Sequence, residues 1–153
     1  MSDTHIVKAQ RHALRDLLDN AALTVVVDQA HVPVTILRRP PAGLKVAPEK
    51  LPAVYIYNNG EQIAGRDLQT VDRTPRFEIV MLAADKGDPQ DQLDDLQLLI
   101  ERTILGSDLL SGTCHAIDLE ATNTVQEAGR VLYGVRSLSY RLLANVTAGD
   151  PSL

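Results

Sequence analysis

Aromatic side chains make up only 3% of this 153-residue chain: there is no tryptophan, and one phenylalanine, Phe77, joins the tyrosines Tyr55, Tyr57, Tyr133 and Tyr140. A single-strand nucleic-acid binder would have few rings on which to stack bases. Cysteine is represented by Cys114 alone, which excludes an internal disulfide and any all-cysteine metal cluster and fits a reducing compartment. Basic charge is in deficit, with 15 Lys and Arg against 20 Asp and Glu and a formal net charge of -5. A net basic face for gripping nucleic acid is therefore not expected. No apolar run approaches the roughly 18 residues of a membrane-spanning helix, and Met1-Ser2-Asp3-Thr4-His5-Ile6-Val7-Lys8 lacks the basic-then-apolar pattern of an export signal. Cytosolic synthesis without a membrane anchor is the expectation.

What is present is ordinary globular material, 44% hydrophobic and 23% charged, in a length that suits one domain with its own core. We expect one domain over residues 1–146 and a frayed tail over 147–153. Ile6, Val7, Ala9, Ala13, Leu14, Leu17, Leu18 and Ala21 form one helical stripe, broken by the polar Gln10. That spacing predicts a helix from about Thr4 to Asn20, capped by Ser2, Asp3 or Thr4. The β-branched runs 23–27 and 34–37 predict two short strands separated by a turn over 28–33.

Residues 38–52 hold four of the eight prolines, which neither continue a helix nor donate to a ladder, so the segment reads as a surface excursion. Residues 53–57 and 76–84 predict two strands, joined by a mostly polar, extended connection of about fifteen residues. Asp88-Pro89 followed by Leu93, Leu96, Leu99, Ile100, Ile104 and Leu105 predicts a capped helix that stops at Gly106. A brief strand over 116–120 follows. In the last segment the apolar parity shifts between Tyr133, Val135 and Leu138, Tyr140, Leu142, which predicts a bulge near Arg136 and Ser137, helped by Gly134. The element order predicts an α+β fold: a mainly antiparallel, mixed sheet of about four to six strands, two helices on one face, and long extended connections.

Catalytic and metal patterns are weak. His5 and His12, seven apart, read as two histidines on an amphipathic helix. Cys114 and His115 are strand neighbours that point to opposite faces, so they cannot share a proton without an unusual bend. Asp85, Asp88, Asp91, Asp94 and Asp95 lack the glycine and distal glutamate of a calcium loop and read as helix capping and solvation. Gly60 and Gly65 lack the Gly-Lys-Ser/Thr ending and following helix of a phosphate loop. No cofactor, metal or catalytic group is expected. Candidate partner contacts are Arg38 and Arg39 on the excursion, with Asn58, Asn59, Glu61, Arg66, Asp67 and Arg73 on the polar connection. Guanidinium forks there suit a partner's carboxylates.

Leu51-Pro52-Ala53-Val54-Tyr55-Ile56-Tyr57, the polar connection, Arg76-Phe77-Glu78-Ile79-Val80-Met81-Leu82-Ala83 and the leucine-spaced helix after Asp88-Pro89 together resemble the tail terminator proteins of long-tailed bacteriophages and related gene-transfer particles. The segment Arg136-Ser137-Leu138-Ser139-Tyr140-Arg141-Leu142 resembles their closing strand and residues 9–18 their first helix, so the similarity spans about residues 8–144. The resemblance implies a non-enzymatic virion protein of the tail neck, assembled in the host cytoplasm. It implies a homo-hexameric ring that caps the head-proximal end of the tail tube, stops its growth and docks the head connector or neck protein, while DNA passes the bore without specific binding. Another neck, head-completion or head-tail joining protein of the same particle is the alternative. A small cytosolic enzyme is a further one, for which the residues supply no convergent polar set.

Overall fold

The computed structural model describes residues 4–44, 46–65, 67–85, 88–108, 112–127 and 132–152. In chain order they form α1 (Ile6–Asn20), β1 (Thr24–Val27), β2 (Ala30–Pro33), β3 (Thr35–Ile36), β4 (Ala53–Gly65), β5 (Thr70–Asp85), α2 (Gln90–Leu105), β6 (Ala116–Glu127) and β7 (Leu132–Thr147). The fold is α+β. A five-stranded sheet has the order β3-β4-β5-β7-β6, antiparallel except where the short β3 runs parallel to β4, and β1 and β2 form a separate two-stranded ribbon.

Alternation along the central strands decides which residues meet the helices. Phe77, Ile79, Met81 and Ala83 of β5, Val54 of β4 and Leu138, Tyr140 and Leu142 of β7 face one way, where Leu14 and Leu18 of α1 and Leu93, Leu96, Ile100 and Ile104 of α2 cover them. The opposite face is also covered in part. Val46 from the proline-rich excursion packs there on Ala53, Tyr55, Val80 and Leu82, with Leu37, Leu51 and Val135 beside them. The excursion thus supplies a second, smaller core as well as surface.

Several expectations need correcting. The polar connection is no loop: residues 58–65 continue β4 and residues 70–75 continue β5, so the two strands make one long hairpin. Its register shifts between Asn58 and Glu61, where Gly60 takes φ 88°, a conformation that favours glycine. The segment over 28–33 is mostly strand, because Asp28 and Gln29, both at positive φ, turn β1 tightly into β2. His5 rather than Thr4 stands at the N-cap of α1, its Nδ1 accepting from Val7 N at 3.2 Å, and the other two expected caps, Ser2 and Asp3, lie outside the described residues. Gln10 faces inward, fully buried, and its Nε2 donates to Thr113 O at 3.0 Å. Residues 147–152 are tied down, since Ile6 N donates to Pro151 O at 2.9 Å and His5 bridges to Ser152.

The expected bulge in β7 is absent: its pairing with β5 keeps one register from Leu132 to Thr147. The inward face simply stops being apolar. Gly134 lies under α2, where an added Cβ would stand 2.8 Å from Leu93 Cδ1 and 3.0 Å from Pro89 Cγ. Arg136, next along that face, is 8% exposed and donates from Nε to Thr124 Oγ1 (3.0 Å), from Nη1 to Asp94 Oδ1 (2.5 Å) and Gln97 Oε1 (3.1 Å), and from Nη2 to Gln90 Oε1 (2.6 Å). A guanidinium joins Leu93 and Leu96 in anchoring the first half of α2, where Ile100 and Ile104 anchor the second. The one bulge on this side belongs to β6, between Leu119 and Ala121.

Two outcomes follow. Gly134→Ala should lower stability by about 1–3 kcal/mol, read from the urea midpoint, because the added Cβ would meet both the wholly buried Leu93 and the Pro89 ring, and packed atoms must shift. Burial, and then the charge of Glu101, pushes the Tyr140 hydroxyl up to about 12. Between about pH 10 and 12 the unfolded chain therefore loses a proton that the folded one keeps, and stability should fall with rising pH, by up to about 1.4 kcal/mol per unit. Tyr140→Phe should flatten that part of the profile.

Candidate functional site

The eight expected contact residues do not come together. Arg38 and Arg39 are exposed just past β3 and make no ion pair among the described residues, while the far end of β4 lies roughly 35 Å away at about 3.3 Å per strand residue. Arg66 lies outside the described residues. The others are on the hairpin, and most build it. Asn58 Nδ2 donates to Gly60 O (3.1 Å) and Arg76 O (3.2 Å), and Asn58 Oδ1 accepts from Gly60 N (3.2 Å), which clamps the bulge. Arg73 grips the Glu61 carboxylate with two donors, Nε at 3.0 Å from Oε2 and Nη2 on Oε1. Asp67 Oδ1 accepts from Gln69 N and Thr70 N, both at 2.7 Å, and so shapes the turn.

With those polar groups turned on one another, the hairpin presents apolar residues outward. Leu68 at the tip is 99% exposed and Ile63 60%. Ile63 borders an open depression of about 230 Å³ that Val71, Arg73, Val146 and Pro151 also line. Helix α1 ends its cover at Ile6, which packs on Ala144, Val146 and Val71, so the β4 side of the hairpin projects as an arm with no helix over it.

The sequence reading missed a polar cluster at the root of the arm. Glu78, on the face away from the helices, is 6% exposed. Its carboxylate accepts from Ser137 Oγ (2.6 Å), from Ser139 Oγ (2.7 Å to each oxygen) and from Asn59 Nδ2 (3.3 Å), with no ion pair among the described residues. Beside it, Glu120 holds Arg76 Nε and Arg141 Nε, each at 2.8 Å. The available signal was the serine pair at spacing two in β7, which places both hydroxyls on one face, but only the strand register brings Glu78 opposite them.

The catalytic and metal patterns stay apart. Cys114 is buried in the helix-side core, where desolvation pushes its thiol up, and His115 is exposed. Desolvation, then Arg15, Arg11 and Lys8, holds the His12 imidazole below its usual range, while His5 is engaged as a cap. Among the described residues no three His, Cys, Asp or Glu side chains are grouped to hold a metal ion, and no helix is long and apolar enough to cross a membrane. Asp88 Oδ1 accepts from Gln90 N at 2.9 Å, and Asp94 serves Arg136.

No family model matches this chain, and a search of curated proteins finds no similar sequence.

The Glu78 cluster gives a clean stability test. Glu78→Ala should cost about 2 kcal/mol in chemical denaturation, since the two serine hydroxyls lose their acceptor, whereas Glu78→Gln, which keeps one acceptor oxygen, should cost under about 1 kcal/mol.

Proposed function

We propose that this chain is a tail terminator: a non-enzymatic structural protein that assembles as a homo-hexameric ring at the head-proximal end of a phage-type tail tube. There it stops polymerisation and offers its other face to the head connector or neck protein. The hairpin arm is the observation that carries the reading. It is a preformed strand pair, held by β7 on one side and stiffened by Glu61 and Arg73, that carries Leu68 and Ile63 beyond the helix layer. A rigid projection with apolar ends suits a protein that works by shape and contact, because little order has to be gained on docking.

Charge supports the same role. Six copies at -5 each carry about -30, and carboxylates near a bore repel passing DNA phosphates without holding them. The α+β body, with its sheet covered by helices on one face and in part on the other, serves as the ring's wall. In this reading the protein belongs to the neck region of the virion tail and needs no cofactor.

The test pairs the purified chain with tail tubes and images the tube ends. The expected result is a six-fold ring on one end only, and tails of uniform length when assembly proceeds in its presence. The double variant Leu68→Asp/Ile63→Asp alters two exposed side chains, so it should fold normally, yet it should lose at least tenfold in capped ends and leave overlong tubes. Uncapped tubes with the unaltered chain, or uniform tails with the double variant, would overturn the reading. A ring of another order, seated on the connector side, would favour a head-completion role.

A further inference from the structure

The main sheet has two open edges, and their directions fit each other. β4 pairs antiparallel with β5, β5 with β7, and β7 with β6, so β6 runs opposite to β4. A second copy placed with its β4 beside β6, without being turned over, adds one more antiparallel step and keeps the helices of both copies on the same side. The edges are free over similar lengths. β3 covers β4 only at Ala53 and Val54, with Leu37 N donating to Val54 O at 2.8 Å, and beyond that residues 57–65 have no outer partner among the described residues. Among the described residues β6 has no strand partner on the outer side of Ala116–Glu127.

Each edge strand carries one bulge but lacks two other devices that blunt an edge. Residues 57–65 and Ala116–Glu127 contain no lysine and no proline, and the single charge in the first stretch, Glu61, is already bound to Arg73. Each also exposes an apolar side chain on the face away from the helices, Tyr57 on one and Val125, 54% exposed, on the other. Charge distinguishes the choices of partner. Two β6 strands together would gather the carboxylates of Asp118 and Glu120 from both copies at one seam, with Arg76 and Arg141 already engaged. The β4 edge instead brings no unpaired carboxylate to a seam with β6, since its one charge, Glu61, is held by Arg73.

We infer that copies of this chain join head to tail by β-strand addition, the outer edge of β6 in one copy pairing antiparallel with residues 57–65 of β4 in the next. Such a contact is heterologous, so repeated it closes a ring where the rotation between copies returns to the start and otherwise extends as a filament. The inference deepens the ring reading above and rests on it for closure.

Cysteines placed at Asn123 on β6 and Gln62 on β4, both exposed and both on the face away from the helices, test it with a short bis-maleimide linker. Cys114 is buried and stays out of the reaction. The chain carrying Asn123→Cys and Gln62→Cys together should give a ladder from dimer upward, alone at high concentration or on tube ends. A mixture of the two single variants should stop at dimers containing one of each, and each single variant alone should give at least tenfold less product. Capped tube ends without cross-linked product would overturn the seam and leave the ring reading standing. Efficient linking of the Asn123→Cys variant to itself would replace the seam with a two-fold one. A chain that neither links nor caps tubes would overturn both.

Discussion

Two backbone ladders hold β5, one to β4 and one to β7, and every other element is placed by them. The ladder to β7 keeps a single register from Thr70 to Asp85, and the ladder to β4 shifts once, at Gly60. Because alternate residues of a strand face opposite ways, that unbroken register commits Phe77, Ile79, Met81 and Ala83 to the helices and Glu78, Val80 and Leu82 to the other side. A slip of one residue would bury Glu78 under α1 and α2 and turn Phe77 outward. The layered body and the projecting arm are two lengths of the same ladder, differing only in what covers them.

Polar groups do part of the work that a larger apolar core would do. Arg136 reaches four side chains on α2 and β6, and Glu78 gathers two serines and an asparagine on the opposite face. Each is buried with its donors or acceptors matched, the condition under which a buried polar group contributes to a specific structure.

The legible parts of the sequence were those where one local signal ruled. The stripe through Ile6, Leu14 and Leu18, the Asp88-Pro89 start of α2 and the apolar run before Ala84 announce their elements, and together they imply the α+β class. The misread parts depended on contacts distant in sequence. The connection over 58–74 resembles a loop because residues 58–65 are polar and largely exposed, yet it is strand because β4 and β5 pair along it and β7 lies beside β5. The parity change before Leu138 looked like a bulge because an inward Arg136 resembles an outward one until Asp94 and Gln90 are placed above it. Asn58, Glu61, Asp67 and Arg73 were singled out for polarity and turned out to shape the arm itself, while Leu68, an isolated leucine in a polar stretch, drew no notice at its tip.

The account's central claim is that the arm is a preformed docking element on a body that does not rearrange. Hydrogen exchange of the free chain and of the chain bound to tail tubes tests this most directly. The account predicts added protection at amides within residues 58–70 and along the outer edge of β6, with those of α1, α2 and residues 77–85 unchanged. Protection gained across the helices with no change in the arm would contradict it.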